Sequence, residues 1–353
     1  MDCNGEADSV ITIALFNNKG GVGKTTLAYH LAHMFSRMGV NVLAADLDPQ
    51  SNLTSMFLDE AELEELWGEP SGLIDQGAAP QALISSRVVA AQTVADAVRP
   101  ILEGLGDVEE ILPTRIDTGL WLLPGNIELS RFEDHLSRAW PSSFAGDPAA
   151  IRTTTAFYRV VELAAQHAGA DVVVIDVGPN LGAINRAALL GADHVLMPLA
   201  ADLFSLKGLS NLGPVLRRWR SDWQEVVRPR IPEVISAPAG TMAPLGYVIM
   251  QPEMRLDRPV KAYARWLERI PWVFSTAVLG VESHSGDRPH EIATLRNYRS
   301  LMPLSHDARK PMFDLKAADG ALGSTQAYVK TCFHEFRSLA EKILAATGIP
   351  HDR

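Results

Sequence analysis

Residues 17–28 read NNKGGVGKTTLA, and two lysines, Lys19 and Lys24, stand five positions apart in this one glycine-rich loop. Such a loop presents backbone N–H groups to phosphate, while Lys24 can reach the β and γ oxygens and the Thr25 hydroxyl can hold Mg²⁺. Gly20, Gly21, Val22, Gly23, Lys24, Thr25 and Thr26 therefore form a candidate phosphate cradle. Its end follows the G-x-x-x-x-G-K-[ST] spacing, but its start has Asn18 where glycine is usual, and Lys19 comes next. One lysine suffices for a cradle, so the second needs a further role. Three carboxylates complete the set. Asp46 and Asp48 lie two apart, and Asp176 closes the apolar run DVVVID. A carboxylate of this kind holds Mg²⁺ through water beside a Ser or Thr ligand.

The elements that must position these groups are readable around them. Residues 9–16, SVITIALF, are apolar and β-branched in the manner of a buried strand, and TTLAYHLAHMFSRMG has apolar residues at helical spacing with Gly39 as its stop. A strand, a glycine loop and a helix N-terminus together offer free N–H groups and a positive dipole end to an anion. In the strand VNVLAADLD, alternation points Asp46 and Asp48 the same way. Alternating strands and helices predict an α/β fold, a doubly wound and mostly parallel sheet flanked by helices, with the ligand at the strand ends.

KGGVGKTT resembles the deviant Walker A motif of the ParA/MinD superfamily of P-loop ATPases, and two more motifs match in order. VLAADLDPQSNLT resembles that family's second strand, and residues 171–212 resemble its Walker B strand with the long segment that follows. LPGNIEL, LGYVIMQP and the last helix extend the likeness over most of the chain, and it is strongest to ParA partition ATPases without an N-terminal DNA-reading domain. The resemblance implies that Lys19 crosses a dimer interface to the phosphates of a second subunit, where cations offset facing negative charge. The alternative for Lys19 is a solvated lysine, or one serving only its own nucleotide. The resemblance further implies that Thr25, Asp48 and Asp176 serve the metal site, that Asp46 supports it, that Asp48 orients the attacking water, and that Thr26 meets the α-phosphate. Lys19, Lys24 and Asp48 are then the catalytic set. Gln251, Pro252 and Pro303 are carried over as adenine contacts. Where the family usually has a proline pair after Asp176, this chain reads VGPN. Asn185 and Asp202 fall where the family places polar interface residues, and each could equally be a cap or turn residue.

Composition bounds the rest. The 353 residues read as one domain over 1–353 with inserted helical segments, an acidic lobe at 59–118 and a basic Arg/Trp/Pro-rich insertion at 213–244. Net charge is -10, and residues 59–110 hold twelve acids against Arg87 and Arg99, so the remainder is balanced. That window is either solvated surface or a dock for a basic partner segment. Arg217, Arg218, Arg220, Arg228 and Arg230, with Trp219 and Trp223 between them, form a candidate DNA-binding surface of the salt-sensitive, sequence-blind kind. Residues 255–269 form a second basic stretch. The competing reading of both is a charged helix whose tryptophans pack inward. Two cysteines, Cys3 and Cys332, exclude a cysteine-ligated cluster within one chain and suit a reducing compartment. The start carries no basic leader and no apolar run nears the roughly 20 residues of a membrane span. The final amphipathic helix lacks the basic excess that anionic lipid attracts, so packing on the sheet accounts for it better.

The resulting expectation is a cytoplasmic, nucleoid-associated ATPase of ParA type. It binds ATP and Mg²⁺, forms a homodimer when ATP-bound, holds nonspecific DNA, and hydrolyses slowly until a partner protein of ParB type stimulates it. The alternatives are a nucleotide-gated regulatory or defence module with little turnover, and a small-molecule ligase or kinase of the dethiobiotin synthetase type.

Overall fold

The computed structural model describes residues 10–68, 92–250, 260–282, 288–298 and 300–351. Its centre is an eight-stranded sheet in the order β3-β4-β2-β5-β1-β6-β7-β8, where β1 is Ile11–Leu15, β2 Val42–Asp46, β3 Thr114–Asp117, β4 Leu120–Leu123, β5 Val172–Asp176, β6 His194–Leu199, β7 Ala243–Met250 and β8 Glu291–Leu295. Seven strands run parallel; β3 alone is antiparallel, paired with β4 through an irregular register. The chain is thus the mostly parallel, doubly wound P-loop fold that the sequence predicts.

The helices are α1 (Lys24–Arg37), α2 (Asn52–Phe57), α3 (Glu60–Trp67), α4 (Val94–Glu103), α5 (Phe132–Ser143), α6 (Pro148–Thr154), α7 (Ala156–Ala168), α8 (Ala183–Leu190), α9 (Leu203–Ser221), α10 (Val260–Val273), α11 (Leu301–Ala308) and α12 (Ser324–Thr347). Burial on both sheet faces explains why β2 and β5 read as continuous apolar runs. Alternate residues feed different layers. Val173 and Ile175 join a cluster with Val94 of α4, Phe132 of α5, Val160 of α7 and Ile184 of α8. Val172 and Val174 join one with Leu31 and Phe35 of α1 and Phe336 and Ile343 of α12. The last helix therefore packs its apolar stripe against α1, and Cys332 lies buried and unpaired within it.

Parallel pairing sets the strand ends level. Asp46 of β2 and Leu15 of β1 both stand opposite Asp176 of β5 in register. Every chemically interesting group named above at a strand end thus arrives at one rim of the sheet.

The acidic window divides. Asp59 caps α3 with a reciprocal capping box, and α3 buries none of its residues. Residues 69–91 lie outside the described residues, but α4 packs in the core and β3 extends the sheet, so residues 94–117 belong to the body. Likewise, much of the 213–244 segment is body: Trp219 and Trp223 are buried, with the Trp223 indole N–H donating to the Pro238 carbonyl at 3.1 Å. The sheet's two outer strands differ from the rest. Arg115 and Asp117 alternate outward along the four-residue β3, and Lys342 donates to the Ile292 carbonyl of β8 at 2.8 Å.

Candidate nucleotide site

The loop between β1 and α1 bends through Gly21 and Gly23, at φ 69° and 95°, left-handed values that glycine adopts without strain. The Gly23 N-cap brings no side chain to α1, so the first N–H groups of that helix have no side-chain cap. Thr25 and Thr26 follow in the first turn. Lys24 is buried at 7% exposure. Burial pushes its ammonium below the ordinary lysine range, while Asp176 and Asp48 pull in the opposite direction. Lys24 thus stands as a buried amine between two carboxylates at the open start of α1.

Asp176 supplies the fit test for Mg²⁺. Both its oxygens are buried and neither has a hydrogen bond of full geometry, although the Thr25 hydroxyl lies close enough to favour the ionised form. Burial raises its pKa first and the neighbouring Asp46 adds to this, with Thr25 and Lys24 offsetting part of the rise. A buried carboxylate so weakly bonded is costly unless a cation answers it. Among the described residues no group of three His, Cys, Asp or Glu side chains could hold a metal alone. Thr25 plus Asp176 suits Mg²⁺, which keeps water and phosphate among its ligands.

Asp46 has a different task. Its Oδ2 accepts from the Thr54 N–H at 2.8 Å and from the Thr54 hydroxyl at 2.7 Å, and Oδ1 accepts from the Asp48 N–H at 3.3 Å. Gly125 N–H in turn donates to the Thr54 hydroxyl at 2.9 Å. Burial moves the Asp46 pKa up to about 7 against those hydrogen bonds. Asp46 thus braces the loop that carries Asp48. Asp48 abuts the segment after β5, since a Cβ at Gly178 would stand 3.3 Å from its Oδ1.

Lys19 does not point away from its own subunit. Its Nζ donates to Asp202 Oδ2 at 2.5 Å, with side-chain exposures of 31% and 30%, and lies 6.0 Å from the Phe204 ring centre. Asp202 is at once the N-cap of α9, accepting from the Ser205 N–H at 2.8 Å. Burial alone would raise Asp202, but the hydrogen bonds from Lys19 and Ser205 hold it below the ordinary carboxylate range. At the same seam a Cβ on Gly208 would meet Asn18 Oδ1 at 2.7 Å. Asn185 donates to the carbonyls of Gly178 and Asn180 at 2.8 and 2.7 Å, which fixes the loop after Asp176.

Other candidates stand apart from this cluster. Gln251 and Pro252 lie outside the described residues. Pro303 is exposed on α11, whose contacts run to α12 and the Met312–Asp314 turn. Of the five arginines, Arg217, Arg220 and Arg230 donate to the carbonyls of Ala277, Met242 and Val226. Arg218 is exposed and 3.5 Å from Asp222, and Arg228 is exposed. Three residues that sequence reasoning missed matter here. Thr54 sat unremarked inside a recognised motif; Glu133 donates nothing but accepts from the start of α8; His30 joins α1 to the Met312 turn.

Comparison with known proteins bears on the family and the fold. A family profile described as an AAA domain matches residues 10–227. The chromosome-partitioning ATPase Soj of Thermus thermophilus is 32% identical over 212 residues, 59% of this chain, and the sporulation initiation inhibitor protein Soj of Bacillus subtilis is 28% identical over 201 residues, 57% of it. The chain spans 62% of the length of each of these curated relatives, less than two-thirds. A crystal structure from Corynebacterium diphtheriae superposes with TM-score 0.68 at 24% identity, covering 96% of this chain and 99% of that one. The ATP complex of McdA from Cyanothece superposes with TM-score 0.58 at 18% identity over 97% and 98%. At these identities the structures speak for the fold.

Proposed function

The chain belongs to the AAA domain family, as a P-loop ATPase of ParA/MinD type, and from that premise we propose a partition-type nucleotide switch. It binds ATP with Mg²⁺, pairs two copies with nucleotide between them, holds DNA without reading its sequence, and releases it after hydrolysis stimulated by a partner protein. It would act in the cytoplasm, on the nucleoid; among the described residues no helix is long and apolar enough to cross a membrane. The observation that carries the reading is the buried Lys24 ammonium set between Asp48 and an Asp176 carboxylate with no hydrogen bond of full geometry, at the open start of α1.

In this reading Lys24 and the loop N–H groups bind the β and γ phosphates, and Thr26 meets the α-phosphate. Thr25 and Asp176 would hold Mg²⁺, which when bound neutralises charge on the phosphate oxygens. Asp48, braced through Asp46 and Thr54, orients a water for attack. Phosphoryl transfer asks mainly for such positioning. Lys19 serves the dimer. Its pairing with Asp202 is partly exposed, and pairs of that kind are worth at most about 1 kcal/mol. A triphosphate on a second subunit offers more negative charge, so exchanging Asp202 for it ties subunit pairing to nucleotide. Arg218 and Arg228 are the freest cations of the basic segment and its first candidates for DNA phosphates.

Sedimentation of wild type and Lys19→Ala, each with and without ATP and DNA, tests this. Wild type should dimerise only with ATP and Lys19→Ala should stay monomeric. A wild type that remains monomeric in every condition sinks the switch.

A further inference from the structure

Helix α8 begins seven residues after Asp176, and its start is built unusually. The N-cap Gly182 has no side chain to offer, so the first N–H groups of α8 lack a local cap. The partner comes from elsewhere. Glu133, in the first turn of α5, accepts from the Ala183 N–H at 2.6 Å through Oε1 and from the Ile184 N–H at 2.8 Å through Oε2. A carboxylate there meets both the orphan donors and the positive end of the helix. The glycine is a condition of this arrangement, because a Cβ at Gly182 would stand 2.8 Å from Glu133 Oε1 and 2.8 Å from Asn180 Oδ1. Arg186, one turn on, faces Glu133 in charge and lies 4.5 Å over the Trp140 ring of α5. Helix α5 therefore grips α8 at its first turn.

The gripped helix anchors the far end of the loop 177–182, whose near end is Asp176 and whose Gly178 backbone abuts Asp48. Asn185 of α8 donates to the Gly178 carbonyl, so a shift of α8 reaches that contact directly. We propose that Glu133 is a positioning residue for ATP hydrolysis: by capping α8 from α5, it sets the 177–182 loop against Asp48 and so fixes where the attacking water is held. This rests on the reading above in which Asp48 orients that water. Glu133 itself touches no reacting atom.

Three variants of the full chain test it: Glu133→Ala, Glu133→Gln, which keeps one acceptor oxygen, and Gly182→Ala, which pushes the carboxylate off the helix. Turnover of ATP, affinity for a fluorescent ATP analogue and amide hydrogen exchange are measured on each. Glu133→Ala should lower kcat about tenfold or more, as small misplacements at a reacting centre do, with analogue affinity within about twofold of wild type by the same reasoning. Glu133→Gln should fall between. Exchange at the Ala183 and Ile184 amides should rise in proportion. Gly182→Ala, which also crowds Asn180 Oδ1, should lose at least as much as Glu133→Ala, and the double variant should be no worse than Gly182→Ala, because the Glu133 contact is already gone there. An active wild type whose kcat is unchanged in Glu133→Ala, or single-variant losses that multiply in the double, overturns the proposal. So does loss of analogue affinity equal to the loss of kcat, the mark of a merely unfolded site. A wild type with no turnover at all overturns the hydrolysis reading, and this proposal with it.

Discussion

Single polar atoms decide how well this site is held. The Thr54 hydroxyl, bonded to Asp46 and to the Gly125 N–H, has no solvent to fall back on. Thr54→Val keeps the volume but strands the buried Gly125 N–H and leaves Asp46 Oδ2 with the Thr54 N–H alone, which should cost about 1–3 kcal/mol in urea unfolding; Thr54→Ser should recover most of it. Lys19 predicts the opposite pattern. Its contact with Asp202 is partly exposed, so Lys19→Ala should change unfolding free energy by less than about 1 kcal/mol while abolishing ATP-dependent pairing; a large loss of stability would mean the lysine is structural. Asp48→Asn should cut turnover at least about tenfold and change nucleotide affinity by a smaller factor, since it removes orientation of the water and only one of the two charges facing Lys24.

Among elements, the strand, loop and helix of residues 11–37 were legible because their periods are local: apolar runs for strands buried on both faces, helical spacing for α1, and glycines where φ must be positive. The level ends of β2 and β5 followed from parallel pairing. What local patterns could not carry was contact across long sequence distance. Glu133 reaches residues fifty positions away, and nothing around it in sequence marks it as a cap. Asp202 read equally as a cap or an interface residue, and it is a cap that also takes Lys19. Acidity in residues 59–110 suggested one appended lobe, yet α4 and β3 are buried or paired parts of the body, because a helix can be acidic outside and apolar within. The α9 seam gives a prediction at this scale. A Cβ on Gly213 would lie 2.1 Å from the Ala277 carbonyl oxygen, backbone that cannot swing aside. Gly213→Ala should therefore destabilise by about 2 kcal/mol in denaturant titration while sparing nucleotide affinity.

For the whole molecule, acid sensitivity should trace to the histidines of α1: His33, which burial and then the nearby His30 lower to about 3, and His30 itself. His30 is fully buried, its Nδ1–H donating to the Thr26 carbonyl at 2.7 Å and its Nε2 accepting from the Met312 N–H at 3.0 Å, so the neutral ring joins the helix of the phosphate loop to the turn after α11. Burial lowers its pKa to about 4, against the Thr26 carbonyl. In the unfolded chain the ring titrates near 6.5, so its contribution is complete above that pH and is lost as pH falls toward 4, roughly 3 kcal/mol in all. Unfolding free energies of wild type and His30→Gln from pH 7.5 to 4.5 should converge as the solution becomes acidic; a constant gap would refute the assignment. The outermost strands carry a last consequence. Short β3 turns Arg115 and Asp117 to water, and the ammonium of Lys342 already occupies the Ile292 carbonyl of β8. Among the described residues, charged side chains at both outer strands make each a poorer template for a strand from another copy, which disfavours edge-to-edge cross-β growth.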